Sequence, residues 1–370
     1  MKISVQTTDL KKYLGIVNRG IGLRPQLPIL SGILLQVTKD EVNLVSTDLE
    51  ISFWVRVPAK IEEEGELVVQ AKLFSELVSG LPAGVVNLSS DKDSLKIEAK
   101  GINAEIVGQG SEDFPSIPRA KKAQLSLKSG EFRQKMDRVC ISAARDDTRP
   151  VLTGVLWELS EKTATLVATD GYRLSSDKLE VAKSSLEKET KFILPARSLS
   201  EVSKVLSETG EDTFGVEFDK ENQQVIFTIA DMEVSSRLIA GEFPPYQQII
   251  PNTYSTKALF AREELLEAVK RANLFAKDNA NIVKMAIEEK RVVVRAESSQ
   301  LGSNSTEIES EVEGEALTVA FNARYLLDYL AVNNVERVIW ETEGELKPSV
   351  FKRDDDEGWI QVVMPVRTQN

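Results

Sequence analysis

Carboxylates and lysines are the side chains left to do chemistry in this sequence. The chain of 370 residues has no histidine and a single cysteine, Cys140. Histidine is the commonest general base and, with cysteine, the usual zinc ligand, so imidazole and thiolate sites are excluded. The densest carboxylate clusters are Asp146–Asp147 and Asp354–Asp356, which could in principle hold a pair of Mg²⁺ ions for nuclease chemistry.

These aspartate clusters lack the spacing of a metal site. Adjacent aspartates in a loop usually point in different directions, and the segment RDDDEGW, which begins at Arg353, does not match a calcium-binding loop. Cys140 lies in the helical segment FRQKMDRVCISAA, which favours a small packed thiol over a nucleophile. We therefore predict a binding protein with no catalytic residue, no metal site and no cofactor. A metal-dependent DNA enzyme is the alternative.

The composition is typical of a soluble globular protein with two or three domains. Hydrophobic residues make up 42% of the chain and charged residues 28%. No stretch approaches the roughly 20 apolar residues that span a bilayer. The N-terminal segment MKISVQTTDL has no apolar region or cleavage site of a secretory signal, and a single cysteine suits a reducing compartment. We predict a cytoplasmic protein with no membrane partner.

A repeat of about 120 residues organises the chain. Pro28 and Gly32 in the segment LPILSGILLQV recur as Pro150 and Gly154 in RPVLTGVLWEL, in both cases 122 positions later. The strand that follows repeats in the same register, since VSTDLEIS becomes VATDGYRLS, and a more diverged third copy reads VRAESSQLG. This self-similarity predicts three structural units of one kind.

Two helices are predicted in each repeat. Ala71, Ala196 and Ala323 begin equivalent helices with apolar residues at i, i+3, i+4 and i+7, and another helix heads each repeat. Few strands are separated by helices, which favours an α+β architecture of antiparallel sheets with helices on one face. The proline-rich segments EDFPSIP and GEFPPYQQIIP are the predicted linkers. The predicted domains are therefore 1–122, 123–254 and 255–370.

The charge is unevenly distributed along the chain. The net charge is −12, yet the six predicted helices carry 14 basic and nine acidic residues, a net charge of +5. The rest of the chain therefore carries a net charge of −17. Sparse basic side chains on helices would attract a nucleic acid duplex without fixing its register. No motif for reading base edges is present. The predicted helices span residues 9–19, 71–80, 129–139, 197–207, 262–277 and 324–334.

Four segments, GLRPQLPIL, ATDGYRLS, GEFPPYQQIIP and VVMPVR, resemble those of the β subunits of bacterial DNA polymerase III, the sliding-clamp family. The similarity runs from Met1 to about Arg367. It implies three clamp domains, each with two helices packed on antiparallel β-sheets, and a head-to-tail homodimer that forms a ring of six domains. In the family, such a ring encircles duplex DNA independently of sequence and serves as a processivity factor in DNA replication and DNA repair. A specialised or drug-resistant paralogous clamp is the alternative within the family.

The resemblance also implies a peptide cleft between the second and third domains. Short linear motifs of the replicative DNA polymerase, the clamp loader and repair polymerases are expected to bind in it. Gln248 stands where many relatives have an arginine, and Ala280 where some have a phenylalanine, so the resemblance implies the cleft but not its affinity or its exact motif preference. The implied cleft residues are Leu152, Thr169, Gly171, Tyr172, Arg173, Leu174, Pro244, Gln248, Ile249, Val362, Met364, Pro365, Val366 and Arg367.

Two further residue sets follow from the same resemblance. The side chains expected to face DNA are Arg24, Arg145, Arg149 and Arg197. At the dimer interface, Ala104 and Ile106 on an edge strand of the first domain are expected to meet Leu274 and Phe275, at the end of the third domain's leading helix. Ala104 is smaller than the aromatic residue of some relatives, which predicts a weaker contact.

Overall fold

The computed structural model describes residues 1–91, 93–185, 189–219, 221–356 and 358–368. Gln369 and Asn370, the end of the segment VRTQN that the resemblance implies to extend beyond the usual end of such subunits, lie outside this part. The helices of the described residues are α1 Thr7–Val17, α2 Ala71–Gly80, α3 Ser129–Cys140, α4 Ala196–Thr209, α5 Arg262–Ala276 and α6 Ala323–Val332. They match the helices predicted from apolar spacing to within a few residues at each end.

Apart from four short 3-10 helical turns, the remaining regular structure of the described residues is made of strands. Up to residue 128 these are β1 Lys2–Gln6, β2 Gly32–Val37, β3 Val42–Thr47, β4 Ile51–Val57, β5 Ala59–Glu63, β6 Gly65–Gln70, β7 Val85–Asp91, β8 Ser94–Ala99, β9 Ile102–Gln109 and β10 Leu125–Lys128. Beyond it are β11 Gly154–Leu159, β12 Thr163–Thr169, β13 Arg173–Glu180, β14 Lys183–Ser184, β15 Thr190–Pro195, β16 Thr213–Asp219, β17 Gln224–Ile229, β18 Met232–Arg237, β19 Thr256–Ala261, β20 Ile282–Glu288, β21 Arg291–Ser298, β22 Gly302–Glu313, β23 Leu317–Asn322, β24 Arg337–Thr342, β25 Ser349–Arg353 and β26 Ile360–Val363.

The chain forms two compact units, each built on one antiparallel sheet. The first unit comprises Met1–Gly130, Glu201–Leu238 and the short strand β14, and the 14 strands described in it run in the order β14-β10-β16-β17-β18-β4-β3-β2-β6-β9-β8-β7-β1-β5. The second comprises Glu131–Glu180, the stretch with β15 and the chain from Ile239 onward. The 12 strands of its described residues run in the order β15-β11-β12-β13-β26-β25-β24-β19-β22-β21-β20-β23.

The middle repeat divides its strands between the two sheets. Strands β10 and β16 to β18 continue the sheet of the first repeat, because β18 pairs with β4. Strands β11 to β13 continue the sheet of the third repeat, because β13 pairs with β26. The two compact units therefore coincide with the two continuous sheets and not with the three sequence repeats. The boundaries 1–122, 123–254 and 255–370 stay a prediction.

Helix α5 illustrates how apolar spacing and acidic residues in the first turn stabilise a helix of this fold. Leu265, Val269 and Ala272 recur every three or four residues and are buried, which places one apolar stripe against the sheet. The acidic residues Glu263 and Glu264 lie in the first turn, where they interact favourably with the helix dipole. The buried stripe supplies most of the stability of such a helix.

The core of the third repeat is aromatic. Tyr329 on α6 packs against Trp359 with ring centroids 4.8 Å apart, and the ring of Phe351 lies 6.0 Å from that of Trp340. Trp340, Phe351 and Trp359 are fully buried. Aromatic pairs at these distances add to the free energy gained by burial of apolar area. This core therefore fixes α6 firmly against β24 and β25.

The described helices include none that is both long and apolar enough to cross a membrane.

Candidate functional site

The strand pair β13–β26 carries the central residues of the implied cleft. Leu174 lies opposite Val362 in an antiparallel register, and both side chains are buried. Because side chains alternate across a strand, the neighbouring Val363 instead enters the aromatic core of the third repeat. One short strand thus carries residues of both the implied cleft and the aromatic core of the third repeat.

An apolar cluster lies on the cleft side of this strand pair. Its rim is only partly buried and includes Ile249, one of the implied cleft residues. Such a rim leaves apolar surface for a hydrophobic side chain of a bound peptide. We call this set the cleft cluster: buried Leu156, Val167, Leu174, Ile193, Tyr246 and Val362, with the rim Val151, Ile239, Phe243, Ile249, Ile250 and Ile360.

The segment around Tyr246 forms part of the cluster. The Tyr246 hydroxyl donates a hydrogen bond to Glu158 at 2.7 Å, and burial together with this carboxylate raises the pKa of Tyr246. Burial alone would raise the pKa of Glu158, but hydrogen bonds from Lys191 and Tyr246 outweigh it and lower that pKa. Among the flanking residues, Pro244 is half-buried and Gln248 is exposed.

A tight turn before β13 forms one wall of the site. Gly171 has φ +91°, a conformation that glycine adopts without strain. The Asp170 carboxylate accepts hydrogen bonds from the backbone N–H groups of Tyr172 at 2.9 Å and Arg173 at 3.0 Å. The Thr169 hydroxyl donates to the carbonyl of Arg173 at 2.7 Å. These bonds fix the turn and leave the Tyr172 side chain exposed.

Arg173 is a buried structural residue of this wall. Its guanidinium lies 3.1 Å from Asp170 and 2.6 Å from Asp328 on α6, and 4.6 Å from the ring of Tyr325. Removal of both carboxylates would leave the Arg173 charge unpaired and almost inaccessible to water. The arginine therefore holds α6 beside the turn, and its charge is already neutralised within the protein.

The C-terminal segment forms the opposite wall. The Met364 N–H donates to the carbonyl of Tyr172 at 2.8 Å, and the Val366 N–H donates to the carbonyl of Ala320 at 2.8 Å. Met364, Pro365 and Val366 are half-buried. Methionine is flexible enough to pack against different partner side chains.

Two cavities adjoin these walls. The first, of about 540 Å³, is lined by Tyr172, Arg173 and the loop 143–149. The second, of about 590 Å³, is lined by the segment 366–368, by Thr318 and Ala320 on β23, by Lys284 on β20, and by Glu345 and Leu346. Both belong to the second unit, so the structure brings the walls and the cleft cluster together within one compact body.

The structure gives the local positions of further residues that the sequence singled out. Leu152 is buried in a short helical turn, while its neighbour Val151 packs against the cleft cluster. Ala280 lies in the turn after α5 with φ +49°. Sequence reasoning missed Phe243 and Tyr325, although each stands within a conspicuous motif, GEFPPYQQIIP and FNARYLLDYLAV.

The four arginines expected to face DNA lie in different surroundings. Arg24 is exposed in the loop 21–27, beside a fully exposed Leu23. Arg145 and Arg149 line the first cavity, where Arg149 donates to the carbonyl of Asp170 at 3.2 Å. Arg197 is exposed in the first turn of α4. Two of the four thus belong to the surroundings of the cleft.

The expected interface residues lie on a strand edge and a helix end. β9 pairs with β8 along residues 102–107 but with β6 only at residues 108–109, so within the described residues the other edge of 102–107 has no neighbouring strand. Ala104 and Ile106 lie on this free stretch. At the end of α5, Leu274 is exposed, whereas Phe275 packs partly against the core of the third repeat.

The three aspartates at 354–356, which could have held metal ions, each form an ion pair. Asp354 lies 2.7 Å from Arg337, Asp355 lies 2.7 Å from Arg353, and Asp356 lies 3.0 Å from Arg138. In the described residues no group of three or more acidic or sulfur ligands is arranged around a common point. Burial raises the pKa of the Cys140 thiol to about 12, so the thiol stays protonated near neutral pH.

Three family models match consecutive parts of the chain. They describe the N-terminal domain of the DNA polymerase III beta subunit at residues 1–118, its central domain at 126–245 and its C-terminal domain at 247–367. The beta sliding clamp of Staphylococcus aureus is 29% identical over the full length of both chains. Among solved structures, the beta subunit of Thermotoga maritima has a TM-score of 0.92 and 30% identity, and the sliding clamp of Bacillus subtilis a TM-score of 0.94 and 26% identity; each comparison covers 100% of both chains.

Proposed function

The chain belongs to the DNA polymerase III beta-subunit family, and we propose that it acts as a DNA sliding clamp: a ring of two copies that encircles duplex DNA and tethers DNA polymerase to it. The observation that carries the proposal is the pattern of paired and unpaired strand edges along the chain. The cleft also supports the proposal, because it suits a short linear motif of a partner protein.

The strand edges support a closed ring of two copies. Within the chain, the last strand of the middle repeat pairs with β4 of the first, and the last strand of the third repeat pairs with β13 of the middle one. The last strand of the first repeat, β9, and the corresponding strand of the third, β22, keep free edges at residues 102–107 and 302–309 among the described residues. A head-to-tail contact that pairs these edges in two copies closes a ring and leaves no edge for further growth.

The charge distribution supports topological retention of DNA. A net charge of −12 opposes tight direct binding of a polyanion. Tight direct binding would also need many phosphate contacts, each of which adds a salt-dependent contribution to the binding free energy. The exposed residues Arg24 and Arg197 supply weak, sequence-independent attraction in this proposal. Arg145 and Arg149 are assigned the same role where DNA passes near the cleft.

The cleft supports recognition of short linear motifs. Its partly buried apolar rim, adaptable Met364 and fixed turn at Gly171 suit a peptide with hydrophobic anchors. We propose the replicative polymerase, the clamp loader and repair polymerases as the proteins that carry such motifs. We also propose that the protein works in the cytoplasm.

We propose no catalytic role for the chain. Asp354, Asp355 and Asp356 each pair with a different arginine, so their carboxylates do not converge on a shared ion. A nuclease assay with Mg²⁺ or Mn²⁺ should therefore give no turnover.

The cleft proposal is tested by the double variant Met364→Ala, Pro365→Ala in a primer-extension assay with polymerase and clamp loader. We expect product length to fall at least about tenfold, because loss of packed apolar surface weakens the polymerase motif. The variant should still form dimers in sedimentation. Full-length products from this variant at limiting polymerase would contradict the assignment of the cleft.

A further inference from the structure

The chain segment 241–250 covers part of the apolar sheet face at the cleft. Its regular structure is the short helical turn Tyr246–Gln248. Phe243, Tyr246, Ile249 and Ile250 all belong to the cleft cluster. A segment of this kind lacks the repeated backbone hydrogen bonds of a helix or strand, so its conformation depends on individual contacts. We call residues 241–250 the covering segment.

A carboxylate on β11 links the covering segment to the sheet. The Tyr246 hydroxyl donates to one oxygen of Glu158 at 2.7 Å. The Lys191 ammonium, on the neighbouring strand β15, donates to the other oxygen at 2.6 Å. Lys191 lies directly opposite Glu158 in the antiparallel register of the two strands. The carboxylate therefore has a fixed position, because each of its oxygens has a partner of its own.

The same tyrosine fixes the cleft residues that follow it in the chain. Its ring is buried, and its carbonyl accepts the backbone N–H of Ile249 at 3.0 Å, which closes the helical turn. Gln248 and Ile249 are implied cleft residues, and Ile249 belongs to the partly buried rim. A displacement of Tyr246 would therefore move the rim that faces a bound peptide.

The beginning of the covering segment is held in another way. Gly241 has φ +126°, and a Cβ added at this position would lie 2.6 Å from the side chain of Val151. Val151 belongs to the rim as well. Close packing thus positions the start of the segment, whereas the hydrogen bond between Tyr246 and Glu158 positions its middle.

The hydrogen bond belongs to the repeat that carries the cleft. In the alignment of the repeats, which lie 122 positions apart, Glu158 corresponds to Gln36. Tyr246, the last residue of FPPY, corresponds to Ile117, the last residue of FPSI. Isoleucine has no hydroxyl group, so the first repeat cannot form the same bond.

The corresponding linker of the first repeat is bound at a different place. There the Ser111 hydroxyl donates to Glu66 on β6 at 2.8 Å, three residues before Phe114. Phe114 is the counterpart of Phe243, since each opens its FP motif. The first linker is thus held before its phenylalanine, whereas the second is held after it, next to the implied cleft residues.

We propose that Glu158 is a positioning residue of the cleft: by accepting the Tyr246 hydroxyl, it holds the covering segment in the conformation that receives a partner peptide. This inference rests on the proposed function, because it concerns the cleft to which a partner motif binds. Glu158 acts through Tyr246 and does not touch the peptide. Without the hydrogen bond, only a fraction of the molecules would have the segment in place, and the apparent affinity would fall by that fraction.

Peptide binding to the full-length protein tests the inference. The probe is a fluorescein-labelled pentapeptide with leucine and phenylalanine anchors, and fluorescence anisotropy gives the Kd. Tyr246→Phe keeps the buried ring and removes only the hydroxyl, so we expect the Kd to rise about fivefold, the effect of one lost hydrogen bond. The melting temperature should change by less than about 4 °C, because the ring stays packed and Glu158 keeps Lys191.

Variants of Glu158 separate positioning from packing. Glu158→Gln keeps an oxygen that accepts the Tyr246 hydroxyl, and its Kd should stay within about twofold of that of the unsubstituted protein. Glu158→Ala should show the same loss of affinity as Tyr246→Phe, and the double variant should lose no more than either. Additive losses would overturn the inference, because the two residues would then act independently.

Ser111→Ala is the matched control, since it removes a hydroxyl–carboxylate bond of nearly the same length from the first linker. Its Kd should be unchanged, and a loss equal to that of Tyr246→Phe would overturn the inference. An unchanged Kd for Tyr246→Phe would also overturn it, while leaving the proposed function intact. If the unsubstituted protein does not bind the peptide at about 1 mM, the proposed cleft is overturned, and this inference with it.

Discussion

Asp177 is the most buried charged side chain near the candidate site. Its carboxylate lies 2.8 Å from Lys135 and 3.2 Å from Arg138, both on α3, and it has no exposed surface. Arg138 also reaches Asp356, while Ser175 bonds to both the Arg138 carbonyl and the Trp359 indole. This network fixes α3 to the strand pair that carries the cleft.

The variant Asp177→Asn should destabilise the second unit by about 3 kcal/mol, because it leaves buried cations with too little negative charge. Thermal unfolding followed by circular dichroism measures the loss. Asp91→Asn, at an exposed and weakly paired aspartate, is the matched control and should leave the melting temperature nearly unchanged. Similar melting temperatures for the two variants would contradict the structural role of the network.

The turn before β13 is the element that connects fold and site. It is fixed by Asp170 and Thr169, and its glycine has a backbone conformation that other residues adopt only with strain. A Cβ on Gly171 would also lie 3.1 Å from the Arg149 guanidinium. The position of Tyr172 in the cleft wall therefore depends on this one glycine.

Gly171→Ala should cost about 1–2 kcal/mol of stability and should weaken a partner peptide, because the turn must move to relieve the strain. Gly210→Ala is the control: φ is +72° there, and a Cβ added at this position would have no atom within 4 Å. It should show a similar stability loss with unchanged peptide affinity in fluorescence anisotropy. Equal peptide affinities for both variants would remove the turn from the binding site.

At this scale the sequence predicted the helices and the repeat but not the strand pairing. Apolar spacing along a helix is local, so α1 to α6 could be located from it. The pairing of β18 with β4 joins residues far apart in the chain, and no local pattern specifies it. For the same reason, Leu174 and Val362 could be predicted as cleft residues only from the resemblance to a known family. No pattern in the sequence indicated that Asp328 neutralises Arg173.

For the whole molecule, retention on DNA is separate from affinity for DNA. The acidic net charge, the exposed but sparse arginines and the free strand edges all favour a closed ring. Such a ring retains DNA by topology, because the ring leaves the duplex only over a free DNA end. In the proposed function, specificity then lies in the cleft, which would select the proteins that are brought to DNA.

Retention on circular and linear DNA is the most direct test of this claim. The protein is loaded onto nicked circular DNA by a clamp loader, and the bound fraction is measured by gel filtration before and after a restriction enzyme linearises the circle. We predict that the protein stays bound to the circle and is lost at least about tenfold faster from the linear product. A ring slides off at a free DNA end, whereas direct contacts with phosphates are the same on circular and linear DNA. Equal retention on circular and linear DNA would contradict encirclement.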